Sequence, residues 1–134
     1  MTGGEPALAV PGSNLTGDVP FSAALRSAGG VHELRSPPGV RGDLARLVND
    51  LCTAQGVSPA ELRELRVDVG PGSYTGLRVA VTFVRFLQAF GTARVLAVSS
   101  LALLAMRAAD RAPRPVRPML DARRGRLHAA CYAL

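Results

Sequence analysis

The sequence predicts an α/β domain with helices packed on a mixed sheet. Its first apolar segments are short and are separated by glycine and proline turns, which is typical of hairpin strands. The later segments alternate between strand and helix patterns. The predicted order of elements is therefore β-β-β-α-β-α-β-α-β-β, and this order implies a sheet with both antiparallel and parallel strands.

The N-terminal part contains three predicted strands. The segment "ALAV" at 7–10 is a short buried strand that a Pro-Gly turn ends. The segments "VPFSAAL" at 19–25 and "VHELR" at 31–35 flank a glycine pair at 29–30, which predicts a hairpin. Pro20 has no N–H to give to a sheet, so we expect it at an edge or at the start of its strand.

Two helix starts follow. From Asp43 to Gln55 the apolar residues recur at i, i+3, i+4 and i+7, so the sequence predicts an amphipathic helix that Asp43 caps and Gly56 ends. The segment "SPAEL" at 58–62 predicts a second helix, because its serine and glutamate are spaced as a capping box. The apolar positions of the first helix are Leu44, Leu47, Val48 and Leu51.

A strand, a glycine-rich loop and a long helix come next. The segment "LRVDV" at 65–69 alternates like a strand, the loop occupies 70–76, and the helix runs from about 75 to 90. Apolar residues occupy almost every side of this helix, so we expect it to be widely buried or to pack against a partner. They are Leu77, Val79, Val81, Phe83, Val84, Phe86, Leu87 and Phe90.

The C-terminal part adds a strand, a helix and a hairpin. The segment "RVLAV" at 94–98 is predicted as a central strand, and Ser99 or Ser100 caps the helix "LALLAMRAA". Pro113, Pro115 and Pro118 then favour extended chain, which leads into "PML" at 118–120 and the hairpin "DARRGRLHAACY" at 121–132.

The glycine loop has three interpretations: a phosphate cradle, a nucleophile turn or a packing joint. Leu77 follows the last glycine where a phosphate loop has lysine, and the third glycine of a dinucleotide fingerprint comes one place late. The G-x-S-x-G of a nucleophile turn is also missing. The sequence therefore favours a packing joint, formed by Gly70, Pro71, Gly72, Ser73, Tyr74, Thr75 and Gly76.

Each residue type in the loop has a mechanical role in this interpretation. Gly70 and Gly72 permit positive φ and close approach, and Ser73 or Thr75 can cap the helix. Because Gly76 has no side chain, the first turn of the helix can lie close to a neighbouring segment of the fold.

The rest of the chain, like the loop, is predicted to contain no catalytic or metal-binding group. The two histidines, His32 and His128, have neither the spacing of a metal pair nor an adjacent nucleophile. Asp121 is interpreted as a turn cap, because it ends a strand where a hairpin begins. Cys52 and Cys131 are predicted to be free thiols in a reducing compartment.

Charge and hydropathy narrow the classes of protein. All 16 basic residues are arginines and the net charge is +6. Many arginines lie in 107–126, where they form either a solvated face or an RNA-binding surface, but no aromatic residues interleave with them for base stacking. No apolar run reaches the ~18 residues of a membrane span, and the start lacks a secretory pattern, so we expect a cytoplasmic protein.

Three segments carry a resemblance to a known family. In order and spacing, "VGPGSYTGLRVAV" (69–81), "VLAVSSLALLA" (95–105) and "MLDARRGRLHAACY" (119–132) resemble the TsaB (YeaZ) family. This family is the non-catalytic part of the bacterial machinery that makes threonylcarbamoyladenosine in tRNA. The resemblance is specific from about 42 to 132 and weak before that.

The resemblance implies a fold, a function and partners. It implies an actin-like, ribonuclease-H-type lobe at 1–118, with 119–134 as the hairpin at the start of a second lobe. It implies a scaffold without cofactor or metal, which supports threonylcarbamoyladenosine synthesis by binding a TsaD-like transferase through helices 43–55 and 75–90. A TsaE-like ATPase and a second copy of the chain are further candidate partners, and tRNA is reached only indirectly. The expected contact residues are Leu47, Leu51, Leu77, Val81, Val84, Arg85 and Gln88.

The chain also departs from the family pattern. Family members have an Asp-Thr-Ser-like turn after the first strand, whereas this chain has "AVPGSN" at 9–14. Phe83 and Phe86 stand where the family has small residues on the face toward the partner. The chain stops at Leu134, about where a second lobe would start. An alternative is therefore a decayed or truncated paralogue that binds a nucleotide as an actin-like or sugar-kinase-like lobe.

Overall fold

The computed structural model describes residues 4–13, 21–38, 42–111 and 114–133. The predicted order of strands and helices is confirmed. Pro20 and Pro113 lie outside the described residues. The elements are β1 (Ala7–Val10), β2 (Ser22–Ser27), β3 (Gly30–Arg35), α1 (Leu44–Ala54), a 3₁₀ helix (Pro59–Glu61), β4 (Glu64–Asp68), α2 (Tyr74–Ala89), β5 (Arg94–Val98), α3 (Ser100–Ala108), β6 (Met119–Asp121) and β7 (Leu127–Ala129).

Five of the strands form one mixed sheet in the order β3-β2-β1-β4-β5. The hairpin strands pair antiparallel, and β1 then pairs parallel with β4, as β4 does with β5. The prediction that 94–98 is a central strand is wrong, because β5 lies at the edge of this sheet. The residues of β5 are half-buried or exposed, so its apolar pattern indicates neither full burial nor a place between two other strands.

The hydrophobic core lies between one face of the sheet and helices α1 and α2. Leu8 is paired with Leu25 on one side and with Leu65 on the other, so these three side chains form a row on that face. From the helices, Val48 and Val84 complete the centre of the core, and all five are almost fully buried. The helices are therefore held by apolar contact with the row of leucines.

Local capping determines where the helices begin. The Asp43 side chain accepts from the N–H of Arg46 at 3.1 Å, and Ser99 caps α3 in the same way. The predicted capping box of Ser58 and Glu61 is present, but it begins only one 3₁₀ turn, since Leu62 is already extended. Gly56 follows α1 with a φ of 62°, as a left-handed helix end requires.

The hairpin of β6 and β7 forms a separate two-stranded sheet. A bridge between Val116 and Tyr132 extends this pairing beyond the hairpin strands. Most side chains of the hairpin are exposed, in contrast to those of β1 and β4. Within the described residues, no helix combines the length and hydropathy that crossing a bilayer requires.

Candidate functional site

The glycine loop of residues 70–76 interlocks with the turn that follows β1. The N–H of Ser73 donates to the carbonyl oxygen of Ser13 at 2.8 Å. A Cβ on Gly72 would lie 2.5 Å from the Cβ of Ser13, and a Cβ on Gly76 would collide with the carbonyl oxygen of Gly12. The two turns therefore lie in contact only because these positions lack a side chain.

Other polar groups of the loop also form hydrogen bonds within the protein. The Ser73 hydroxyl accepts from the N–H of Gly76 at 3.2 Å and caps α2, as predicted. The N–H of Gly70 donates to Asp68 Oδ1 at 2.9 Å. A phosphate cradle needs such N–H groups free and convergent, so the bonded N–H groups of Gly70, Ser73 and Gly76 favour the packing joint.

The start of the loop is also joined to α3. Gly70 has a φ of 96°, the left-handed conformation that glycine adopts without strain. Its carbonyl oxygen accepts from the N–H of Ser100 at 2.9 Å, and the Ser100 hydroxyl donates to Asp68 Oδ1 at 2.5 Å. The loop thus connects the ends of β1 and β4 with the starts of α2 and α3.

Sequence reasoning missed Ser13 and Gly12 as the neighbours of the loop. A signal for them exists, because Pro-Gly-Ser occurs both at 11–13 and at 71–73. The two copies meet in the fold, where the serine of the first accepts from the serine N–H of the second.

Helix α2 carries two apolar stripes on different sides. Ala80 and Val84 point into the core, and Val84 is only 1% exposed. A second stripe consists of Val79, Phe83, Phe86 and Phe90, spaced at i, i+4, i+7 and i+11. We call these four residues the outer stripe, and they explain why the helix is apolar on almost every side.

The outer stripe is open to solvent at its C-terminal end. Phe86 is 59% exposed and Phe90 is 78% exposed. Their ring centroids lie 4.8 Å apart, so the two rings contact each other rather than the core. Aromatic side chains with this much exposed apolar area are typical of surfaces that bind another protein.

A groove of about 670 Å³ lies between the outer stripe and the start of α1. Leu44 and Ala45 of α1 line the groove, and so does Phe21. Its lining is mainly apolar, with Arg78 and Asp43 among its polar members. The groove is therefore lined by residues of both helices that are predicted to bind a partner.

The structure separates the seven expected contact residues. Leu47, Leu51 and Val84 are buried in the hydrophobic core. Leu77 and Val81 are half-buried, whereas Arg85 and Gln88 are exposed. Helical periodicity does not reveal which of two apolar stripes faces inward, and here the inward stripe includes Val84.

A second cleft, of about 620 Å³, separates the glycine loop from the β6–β7 hairpin. Ser13, Ser73, Asp121, Arg123 and His128 are among the residues that line it. Asp121 caps the hairpin turn, as predicted, because its Oδ1 accepts from the N–H of Arg123 at 2.7 Å. Among the described residues, no group of three or more His, Cys, Asp and Glu side chains is placed to hold a metal.

The two cysteines are free, as predicted, and have different surroundings. Cys52 is buried in the core and Cys131 is exposed. Burial raises the pKa of the Cys52 thiol, because the thiolate would lose its hydration. Cys52 therefore acts as a small apolar core residue rather than as a nucleophile.

Known proteins match this chain in sequence. Residues 23–133 match the family model of TsaD, tRNA N6-adenosine threonylcarbamoyltransferase. The chain is 36% identical over 101 residues to the tRNA threonylcarbamoyladenosine biosynthesis protein TsaB of Bacillus subtilis (strain 168). That match covers 75% of this chain and 40% of the Bacillus protein.

Solved structures match it in fold. YeaZ from Pseudomonas aeruginosa superposes with a TM-score of 0.82 at 30% identity, over 98% of this chain and 60% of that one. A Pseudomonas aeruginosa structure described as similar to peptidase YeaZ gives a TM-score of 0.81 with the same identity and coverage. The chain thus spans less than half of the Bacillus relative and 60% of the solved ones.

Proposed function

Since the chain belongs to the TsaB (YeaZ) family and matches the TsaD family model over most of its length, we propose that it is a non-catalytic scaffold that binds a TsaD-like transferase. In this role it supports the biosynthesis of threonylcarbamoyladenosine in tRNA, in the cytoplasm. The observation that carries the proposal is the exposed outer stripe beside an apolar groove. The partner is expected to fill the groove with one or two helices of its own.

The size of the stripe suits a protein contact. A fully buried aromatic or branched side chain contributes about 1.5–3 kcal/mol, so burying two phenylalanines and a valine contributes on the order of 5 kcal/mol before association costs. Phe86 and Phe90 carry most of the exposed area, and aromatic residues near the centre of an interface dominate its energy. We therefore place the centre of the contact at these two residues.

The glycine loop has a mechanical role in this proposal. It fixes the start of α2 against the turn after β1 and against α3. The direction in which the outer stripe points is then determined before any partner arrives, which lowers the entropic cost of binding. The alternative nucleotide-binding lobe is less well supported, because the N–H groups of Gly70, Ser73 and Gly76 are already bonded.

The proposal predicts that Phe86→Asp weakens binding of a TsaD-like subunit at least about tenfold while the chain stays folded. Phe86 is already exposed, so the new carboxylate is hydrated in the free chain but would be desolvated in the complex. Binding is measured by pull-down and by sedimentation velocity, and folding by circular dichroism.

Two controls make the experiment decisive. Leu127→Asp changes a similarly exposed apolar residue on the hairpin and should leave binding unchanged. Val84→Asp puts a charge into the core and should unfold the chain. Unchanged affinity of the Phe86 variant would refute the contact. Sedimentation velocity of the chain alone tests whether the outer stripe forms a homodimer. The same measurement on a mixture of the chain, the TsaD-like subunit and a TsaE-like ATPase tests whether the ATPase joins the complex.

A further inference from the structure

The face of the sheet opposite α1 and α2 has a different chemistry from the core face. Strand register places Ala7 between Arg26 and Glu64, and Ala9 between Ala24 and Arg66. Further out, Arg94 and Leu96 of β5, and Val31 and Glu33 of β3, lie in the same two rows. We call this set of residues the arginine face. Its centre consists of Ala7 and Ala9 on β1, with Arg26 on the neighbouring strand β2 and Arg66 on the neighbouring strand β4.

A small cavity of about 160 Å³ lies on the arginine face. Its lining includes Ala9, Ala24, Arg26, Val31 and Arg66. Val31 is 71% exposed although it is a large apolar residue on a strand. The cavity therefore combines an apolar floor and rim with two guanidinium groups.

The guanidinium groups on this face are incompletely matched by acceptors. The buried Nε of Arg26 has no hydrogen-bond acceptor among the described residues. Glu64 is shared, since Oε1 accepts from Arg66 at 2.6 Å and Oε2 accepts from Arg94 at 2.6 Å. Glu33 is bonded to Arg35 at 2.8 Å. Arg66 and Arg94 thus share one carboxylate, whereas the Nε of Arg26 has none, and a buried N–H without an acceptor is costly.

We propose that the arginine face binds an acidic amphipathic segment of a protein partner. Carboxylates of that segment accept from Arg26 and Arg66, and its small apolar side chains pack on the alanines and Val31. The alanine floor lets another backbone approach closely, and guanidinium groups bind carboxylates with two parallel hydrogen bonds. This contact lies on the opposite side of the sheet from the outer stripe, so both surfaces can be occupied at once.

The experiment uses an acidic peptide as the probe. It is an 18-residue amphipathic helix with alanine and leucine on one face and glutamates along its borders, and a second peptide has glutamine at each glutamate. Affinities for the full chain are measured by fluorescence anisotropy. The acidic peptide should bind at least about tenfold more tightly than the glutamine peptide.

Two double variants distinguish binding at the arginine face from nonspecific electrostatic attraction of an acidic peptide to a basic protein. Arg26→Gln with Arg66→Gln should abolish the preference for the acidic peptide. Arg107→Gln with Arg111→Gln removes the same charge from the end of α3 and should preserve it. Circular dichroism verifies that each variant is folded.

Several outcomes would overturn the proposal. They are undetectable binding of the acidic peptide, equal affinity of the two peptides, and equal losses in the two double variants. An RNA oligonucleotide serves as a further probe. If the chain binds this RNA through Arg26 and Arg66 but does not bind the peptide, the face recognises phosphate and the proposal is wrong.

Discussion

Two glycines of the loop, Gly70 and Gly72, are required for different physical reasons. Gly72 has no unusual φ, and its importance comes from Ser13, which lies where its side chain would project. Gly70 is the opposite case, because its φ of 96° is itself unfavourable for other residues. The same residue type thus serves close approach at one position and a left-handed turn at another.

At the residue scale, Gly72→Ala is predicted to lower the free energy of unfolding by about 1–3 kcal/mol, since the added methyl group overlaps backbone and side-chain atoms of Ser13. Gly29→Ala is the matched control, because its nearest neighbours lie 3.7 Å from the added methyl group. It should change stability by less than about 0.5 kcal/mol. Urea denaturation measures both, and equal values would show that the two turns are not locked together.

Strand β4 shows how one element serves both faces of the sheet. Leu65 and Val67 belong to the core, whereas Glu64 and Asp68 are buried acids on the other face. The Glu64 side chain is only 5% exposed, which would be costly for a lone carboxylate. Its burial is tolerated because the carboxylate accepts hydrogen bonds from two arginines. Hydrogen bonds from Arg94, and then those from Arg66, lower the pKa of Glu64 below its ordinary value.

At the scale of the element, this pKa predicts a pH-dependent contribution to stability. A carboxyl with a lowered pKa stabilises the fold above its ordinary pKa, and the contribution is lost as the pH falls through the folded value. Wild type should therefore exceed Glu64→Gln in stability at about pH 7, and the difference should shrink toward about pH 3.

The control for this prediction is Glu33→Gln. Glu33 also contacts an arginine, but both side chains are largely exposed, so the substitution should have a small effect at every pH. Denaturant titrations of the three proteins across this range supply the comparison. A difference between wild type and the Glu64 variant that does not vary with pH would contradict the assignment.

The whole molecule consists of a well-packed sheet with two helices and a more exposed C-terminal part. Central strands β1 and β4 are paired on both sides and contribute Leu8, Val10, Leu65 and Val67 to the core. By contrast, β6 and β7 pair with each other, and every residue of β7 is exposed. Local stability should therefore decrease from the sheet to the hairpin.

At the scale of the molecule, hydrogen exchange should show this gradient. Amides of β1 and β4 that are bonded in the sheet are expected to exchange most slowly, at rates set by global unfolding. Amides of β6 and β7 should exchange at least about a hundredfold faster, since local opening there exposes little additional apolar surface. Exchange of the hairpin at the rate of β1 would instead indicate one cooperative unit.

Several features of the candidate site could be predicted from the sequence because they depend on neighbouring residues. Ser73 caps α2, Gly70 adopts a positive φ and Asp121 caps its turn. The exposed stripe on α2 could not be assigned, because periodicity marked both sides of the helix as apolar. The unmatched Arg26 was also inaccessible to sequence reasoning, since its surroundings come from β1, β3 and β4.

The order of elements and the caps of the helices could be derived from the amino-acid sequence alone. These depend on periodicity, capping and backbone freedom, which act within a few residues along the chain. Three other features became visible only in the folded chain: Val84 faces the core, β5 lies at an edge, and Ser13 accepts a hydrogen bond from the loop. Burial and strand pairing join residues that are far apart in sequence, so local patterns do not contain them.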